Sequence, residues 1–159
     1  MGKAPNVGDV APDFTLEGTA GRFALSEHRG ERVVLLFYPG DETMVCTRQF
    51  CSYRDRSDEM ASLGATVVGI SGQDVDSHES FTASHGLTVP LLADPEKEVA
   101  KRYGVSRGRL GTQRAAFVID GDGIVRWRKL HALGLDYVDV DELREALATL
   151  GAAPAAPAA

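Results

Sequence analysis

The stretch Val33–Asp55, VVLLFYPGDETMVCTRQFCSYRD, decides the fold and carries both cysteines of the chain. It opens with a short apolar run, Val33–Tyr38, whose β-branched and aromatic residues predict a buried strand. Pro39 and Gly40 end that strand. Over Val45–Leu63 apolar residues recur at helical spacing, so we expect a helix that directly follows a central strand.

Cys46 falls in the first turn of this helix, where a thiol gains reactivity. A helix N-terminus carries about half a positive charge and unpaired N–H groups, which favour the nucleophilic thiolate. Thr43 can direct its hydroxyl into the same small space, and Pro39 can shield that space without adding an N–H. The alternative is that Cys46 is a small apolar residue in a buried helix, as most single cysteines are. Its position, the hydroxyl and the second cysteine favour a functional role.

Cys51 follows Cys46 by five residues, a spacing that separates the two thiols in an intact helix. Five residues turn about 140° and rise about 7.5 Å, which puts the two Cα atoms about 8–9 Å apart. A disulfide needs Cα atoms within about 7 Å of each other. The two cysteines therefore cannot bond unless the first turns of the helix unwind, and we do not expect a permanent structural disulfide.

The pattern Pro39-x-x-x-Thr43-x-x-Cys46 resembles the active-site motif of the peroxiredoxins, thiol peroxidases of the thioredoxin-like fold. The second cysteine, Cys51, is similar to that of the bacterioferritin-comigratory, or Q-type, subfamily. The resemblance implies that Cys46 attacks a hydroperoxide and becomes a sulfenic acid. Cys51 then resolves the sulfenic acid to an intramolecular disulfide, while Thr43 and Pro39 shape the pocket.

The wider resemblance covers residues 7–127, with one departure and one further site residue. The departure is Met44, where the family usually has proline. The site residue is Arg114. An arginine at a strand edge is ordinarily solvated. In peroxiredoxins, however, an arginine that opens the strand before a Phe-x-Ile-Asp segment reaches the active site. Arg114 occupies the matching position in this sequence.

The resemblance implies an enzyme, a thioredoxin-dependent peroxidase that reduces hydrogen peroxide and organic hydroperoxides in antioxidant defence. A thioredoxin-like reductant would recycle it. Because the sulfur does the redox chemistry, no metal, flavin or haem is expected, and Q-type relatives suggest a monomer or weak homodimer. Two alternatives stay open: a one-cysteine peroxidase in which an external thiol resolves Cys46, and a non-enzymatic protein whose partner recognises the oxidised helix.

Length and composition indicate one globular domain in the cytoplasm. The 159 residues suffice for a single domain, assigned to residues 1–150, followed by a disordered Ala- and Pro-rich tail at 151–159. The formal net charge of −6 disfavours a nucleic-acid partner.

No apolar run resembles a signal peptide or a membrane span, so we expect a cytoplasmic location and no membrane partner. A close cysteine pair there is more often catalytic or redox-sensing than structural.

The rest of the chain alternates strands with helices, which predicts an α/β fold with a central sheet. An N-terminal β-hairpin is expected around Phe14–Leu16 and Arg22–Leu25. Further strands are expected at Ala65–Ser71, Val89–Leu92, Arg114–Asp120 and Ile124–Leu130, and helices before Gly86, at Pro95–Tyr103 and at Val140–Leu150. The peroxiredoxin resemblance makes this a thioredoxin-like fold, with a central mixed β-sheet flanked by helices.

His78, Glu79 and His85 are the candidates for a metal site. His78 and Glu79 are adjacent and so point in different directions on a helix, and zinc sites need three or four convergent ligands. We therefore expect no metal site and interpret these residues as solvated polar groups of a helix.

Overall fold

A five-stranded mixed sheet is the central element of the computed structural model, which describes residues 3–131 and 136–151. Two short strands precede the sheet, β1 (Thr15–Leu16) and β2 (Phe23–Ala24). The strands of the sheet are β3 (Arg32–Phe37), β4 (Ala65–Ser71), β5 (Leu91–Ala93), β6 (Ala115–Ile119) and β7 (Val125–Leu130). The helices are α1 (Met44–Asp55), α2 (Ser57–Ala61), α3 (Val75–His85), α4 (Glu98–Arg102) and α5 (Val140–Ala148).

The sheet order is β5-β4-β3-β6-β7, so the strand that leads to the cysteines lies in the middle. β3 pairs in parallel with β4 and antiparallel with β6. β1 and β2 form an antiparallel pair, which confirms the predicted N-terminal hairpin. β5 is an edge strand, a position that is compatible with Pro90 directly before it, because proline has no N–H to pair.

Two apolar clusters cover the two faces of the sheet, because successive side chains of a strand point to opposite faces. Val34 and Leu36 of β3 belong to the cluster that includes buried residues of α1, α3 and α5. Val33 and Leu35 belong to the cluster formed with the N-terminal segment and α4. Both faces of β3 are therefore buried, which accounts for its continuous apolar run.

The prediction of a single helix over Val45–Leu63 is wrong, because the chain forms two helices that are separated at Arg56. Arg56 lies outside the helical region, at φ −115° and ψ 38°. Its guanidinium donates to Glu59 at 2.9 Å and to Asp141 of α5 at 2.8 Å. The apolar stripe continues through Met60 beyond the break, so the periodicity alone could not reveal it.

The other elements differ from the expected ones mainly in where they begin and end. The helix expected at Pro95–Tyr103 shortens to α4, and the Asp94 carboxylate accepts hydrogen bonds from the N–H groups of Val99 and Ala100 at its start. No helix within the described ranges is long and apolar enough to cross a bilayer. The single domain at 1–150 stays a prediction, and residues 152–159 of the expected tail lie outside the described residues.

Candidate active site

Cys46 lies in the first turn of α1, and its side chain is fully buried. The first hydrogen bond of the helix joins the Thr47 N–H to the Thr43 carbonyl at 2.8 Å. The N–H groups before Thr47 therefore have no acceptor within the helix. Together with the helix dipole, they make this position favourable for a negatively charged sulfur.

Arg114 places its guanidinium directly against the Cys46 sulfur. β6 pairs with β3 so that Ala115 faces Phe37, and Arg114 consequently stands beside the end of β3, where the chain turns toward α1. Its Nη2 donates a hydrogen bond to Cys46 Sγ at 3.1 Å, and the residue is 3% exposed. A cation this close, and this well shielded from water, stabilises a thiolate far more than a solvated one does.

A buried chain of hydrogen bonds continues from Arg114 through two residues that the sequence pattern did not indicate. Arg114 Nη1 donates to Gln49 Oε1, and Gln49 Nε2 donates to the Tyr53 hydroxyl at 2.9 Å. Tyr53 in turn donates to the carbonyl of Val138 at 2.5 Å, just before α5. Gln49 and Tyr53 follow Cys46 by three and seven residues and share its helix face. A glutamine on that buried face was the available signal, because it needs a buried partner.

Replacing Tyr53 with phenylalanine is expected to destabilise the protein by about 1–3 kcal/mol, because the Gln49 amide and the Val138 carbonyl lose a buried partner. Urea unfolding followed by circular dichroism measures the change. Tyr137→Phe is the matched control, since Tyr137 is half-buried and packs its ring against Tyr53. The control should change the free energy of unfolding by less than about 0.5 kcal/mol. An equal decrease in the free energy of unfolding of both variants would contradict the assigned hydrogen bonds of the Tyr53 hydroxyl.

Thr43 and Pro39 lie on the loop of residues 38–43, the β3–α1 loop, which joins the central strand to the Cys46 helix. Thr43 is the residue before α1, yet its hydroxyl donates to the Gly40 carbonyl at 3.0 Å and does not cap the helix. Since that hydroxyl gives its proton to the backbone, it can act only as an acceptor toward another molecule. Pro39 is half-buried beside Gly111, at which an added methyl group would stand 3.8 Å from the Pro39 carbonyl oxygen.

Cys51 lies further along α1 and is half-buried against the apolar cluster that contains Cys46. Both cysteines are free thiols. α1 is continuous through both positions, so the helical geometry holds them apart. Any bond between them requires part of this helix to unwind.

The prediction of solvated helix groups was wrong for His78, whereas Glu79 is exposed and His85 is partly exposed. His78 is fully buried, with Nδ1 at 2.7 Å from Asp41 Oδ2 and Nε2 at 2.9 Å from the Leu92 carbonyl. His85 Nε2 is 2.8 Å from Glu42 Oε1. α3 lies against the β3–α1 loop, so its histidines meet two consecutive acidic residues, a contact that spacing within α3 could not reveal. No group of three His, Cys, Asp or Glu residues in the described ranges is placed to hold a metal ion.

The Asp41 carboxyl is held in its ionised form by its neighbours. Burial alone would raise its pKa, but hydrogen bonds from His78, Ser77 and Tyr38 outweigh that effect and keep the pKa below the usual value. A carboxyl with a lowered pKa in the folded protein stabilises the fold above its unfolded pKa. That contribution disappears as the pH falls through the folded pKa.

Asp41→Asn is therefore expected to flatten the acid limb of the stability curve. The wild-type protein should lose the Asp41 contribution as the pH falls below about 4, the unfolded pKa of aspartate, whereas the variant has no carboxyl there to protonate. The free energy of unfolding in urea, measured from about pH 6 to about pH 3, should show the two proteins converging toward low pH. A constant offset between the curves would contradict the lowered pKa.

The fold and the site together define a thioredoxin-like protein with a buried cysteine at the N-terminus of the helix that follows its central strand. The chain belongs to the AhpC/TSA family, whose sequence profile matches residues 7–128. Among solved structures, Peroxidoxin BcpB from Mycobacterium tuberculosis superposes with a TM-score of 0.82 at 33% identity, covering 93% of this chain and 99% of that chain. The peroxiredoxin resemblance and the thioredoxin-like fold are both confirmed.

Two similar curated proteins are chloroplastic peroxiredoxin Q from Oryza sativa subsp. japonica and from Arabidopsis thaliana. They are 42% identical over 123 residues and 41% identical over 124 residues. Each alignment covers 76% of this chain and 57% of the relative, so the chain spans little more than half the length of these proteins.

The predicted cytoplasmic location is wrong by this comparison, because the curated relatives are chloroplastic. The prediction rested on the absence of an apolar signal segment. Organelle transit peptides are amphipathic and rich in Arg and Ser, with no apolar run. The absence of such a run therefore could not exclude them.

Proposed function

We propose that this chain is a thiol-dependent peroxidase that reduces hydrogen peroxide and organic hydroperoxides, with Cys46 as its nucleophile. The observation that carries the proposal is the 3.1 Å hydrogen bond from Arg114 Nη2 to the Cys46 sulfur, buried at the N-terminus of α1. Membership of the AhpC/TSA family and similarity to proteins named peroxiredoxin Q support the same activity.

In the first step the Cys46 thiolate attacks the terminal oxygen of the hydroperoxide. A sulfur–oxygen bond forms and the oxygen–oxygen bond breaks, which oxidises the sulfur to a sulfenic acid. The leaving oxygen takes up a proton and departs as water or an alcohol. Arg114 and the N–H groups of the first helical turn stabilise the negative charge as it moves from sulfur to oxygen. Thr43 accepts the hydrogen bond of the peroxide hydroxyl, and Pro39 limits access of water.

In the second step the Cys51 sulfur displaces the hydroxyl group of the sulfenic acid, which forms an intramolecular disulfide and releases water. This requires the first turns of α1 to unwind. The break at Arg56 separates α1 from α2, so unwinding need not extend beyond α1. The buried hydrogen bonds of Tyr53 resist it, each worth about 1 kcal/mol, which is a small enough cost for disulfide formation to overcome.

In the third step a dithiol protein of the thioredoxin kind reduces the disulfide. One of its thiolates attacks a sulfur of the Cys46–Cys51 bond, and its second thiol completes the exchange, so the reductant leaves as a disulfide and both cysteines are restored. The protein acts as a monomer or weak homodimer in antioxidant defence.

A coupled assay with thioredoxin, thioredoxin reductase and NADPH tests the activity. We expect NADPH to be consumed mole for mole with added hydrogen peroxide. Equal turnover with glutathione and glutathione reductase in place of thioredoxin and its reductase would favour the one-cysteine alternative. No peroxide-dependent NADPH consumption with either reductant would contradict the peroxidase proposal.

A further inference from the structure

A group of buried and half-buried polar side chains holds the β3–α1 loop from the side of α3, and the proposed reaction does not use it. We call it the loop anchor: Tyr38, Asp41, Gln73, Ser77 and His78. The first two residues belong to the β3–α1 loop, and the others belong to the segment from the end of β4 into α3. The same loop carries Thr43, three residues before Cys46.

The Asp41 carboxylate is the centre of the loop anchor. It receives hydrogen bonds from the Tyr38 hydroxyl, the Ser77 hydroxyl and His78 Nδ1, each 2.7 Å long. The side chain of Asp41 is 4% exposed, and that of His78 is fully buried. Three donors converge on one carboxylate, so its position and orientation are closely determined.

His78 connects this carboxylate to the edge of the sheet. Its Nδ1 lies 2.7 Å from Asp41 Oδ2 and its Nε2 lies 2.9 Å from the Leu92 carbonyl oxygen, so the ring is held at both nitrogens. A buried polar network in which each member has its partners makes the structure around it rigid. The ring of His78 therefore fixes the position of Asp41 relative to the sheet.

The loop anchor reaches Thr43 through a single peptide unit. The N–H of Asp41 donates to Gln73 Oε1 at 3.2 Å, and the carbonyl of Gly40, in the same peptide plane, accepts the Thr43 hydroxyl at 3.0 Å. Gln73 and the Asp41 carboxylate thus fix the plane, and the plane sets the direction of the Thr43 hydroxyl. Gly40 permits the close approach, because an added methyl group there would stand 3.0 Å from Gln73 Nε2.

We propose that Asp41 and His78 are positioning residues for the peroxidase reaction, which orient the Thr43 hydroxyl as the acceptor for the hydroperoxide through the Gly40–Asp41 peptide. The inference rests on the proposed function and deepens it. It assigns the loop anchor to substrate alignment and not to activation of the thiol, which Arg114 and the helix N-terminus supply.

The test compares two reactions of Cys46 in the reduced protein. Stopped-flow measurement gives the second-order rate with hydrogen peroxide, which requires alignment. Alkylation by iodoacetamide does not require alignment of a peroxide. Both reactions are measured in the Cys51→Ser background, so that Cys46 is the only thiol. Asp41→Ala should slow the peroxide reaction by about 10–100-fold, since a misplaced positioning group costs up to about that factor. The alkylation rate should change by less than about twofold, because thiolate formation does not depend on alignment.

Further variants complete the test. Asp41→Asn keeps one acceptor oxygen for the Tyr38 hydroxyl and puts an NH2 group in place of Oδ2, which can donate to His78 Nδ1 and to the Ser77 hydroxyl oxygen, so it should restore most of the peroxide rate. If Asp41→Ala folds poorly, Ser77→Ala removes a single donor to the carboxylate and should slow only the peroxide reaction. Adding Asp41→Ala to Thr43→Val should cause no further slowing, because the two act through one hydroxyl. Asp76→Ala, an exposed carboxylate in the first turn of α3, is the matched control and should leave both rates unchanged.

Other outcomes overturn the inference in distinguishable ways. Equal slowing of alkylation and peroxide reduction by Asp41→Ala would mean that the loop anchor acts on the thiol or on the fold. Full additivity with Thr43→Val would remove the path through the Gly40 carbonyl. A wild-type rate no faster than that of a free thiol would contradict the peroxidase itself, and the positioning role with it.

Discussion

Replacing Arg114 with glutamine is expected to slow the reaction of Cys46 with hydrogen peroxide by about 10²–10³-fold, the usual cost of removing one preorganised donor from a developing charge. The variant loses the cation that lies 3.1 Å from the sulfur in a site closed to water. The Cys46 sulfur then loses its hydrogen-bond donor, and the leaving oxygen loses a stabilising partner. Stopped-flow rates with hydrogen peroxide measure the combined effect.

The control for this prediction is Arg126→Gln. Arg126 is an exposed arginine of β7 that pairs with Asp120 at 2.6 Å. The Arg126→Gln variant loses the same formal charge as Arg114→Gln without a change in the active site, so its rate with hydrogen peroxide should match that of the wild-type protein. Alkylation of Arg114→Gln by iodoacetamide separates the effect of Arg114 on the thiol from its effect on the peroxide. Unchanged rates of alkylation and of peroxide reduction would contradict a role for this guanidinium.

Replacing either cysteine with serine is expected to stop turnover, and the two variants should fail at different steps of the reaction. Cys46→Ser should abolish peroxide reduction, because a serine hydroxyl is not ionised at neutral pH and cannot be oxidised to a sulfenic acid. Cys51→Ser should react with one equivalent of hydrogen peroxide at nearly the wild-type rate and then stop in the thioredoxin-coupled assay. The initial burst and the steady-state rate are read from one experiment.

The comparison of the two variants separates the two peroxidase mechanisms. Full steady-state turnover of Cys51→Ser with thioredoxin would make Cys51 a bystander and favour the one-cysteine alternative. Residual peroxide reduction by Cys46→Ser would move the nucleophile elsewhere in the chain. Circular dichroism of both variants controls for folding, since α1 is expected to tolerate serine at either position.

The parts of the site that could be predicted are those whose chemistry is local in sequence. The apolar run before Pro39 and the helical spacing after Thr43 place Cys46 at a helix N-terminus after a buried strand, and the structure has this geometry. The contact between Arg114 and Cys46 was expected from family resemblance alone. It spans 68 residues, and the register of β6 on β3 produces it.

The parts that could not be predicted depend on tertiary contacts. The hydrogen bond between His78 and Asp41 joins residues 37 apart, and the break at Arg56 involves Asp141, 85 residues further along. Neither contact alters the local periodicity of its segment, so helical spacing alone predicted a solvated histidine and one long helix. Gln49 is the intermediate case, since a polar residue on a buried stripe signals a hidden partner but not its identity.

A count of free thiols and a mass measurement after a single oxidising equivalent test whether Cys46 and Cys51 form a peroxide-driven disulfide. One equivalent of hydrogen peroxide is added to the reduced protein under anaerobic conditions, and free thiols and intact mass are measured within seconds. We expect the loss of both thiols and a mass decrease of about 2 Da, as sulfenic acid formed at Cys46 is resolved by Cys51. A gain of about 16 Da with Cys51 still free would contradict the intramolecular step. No rapid change in thiols or mass would contradict the peroxidase itself.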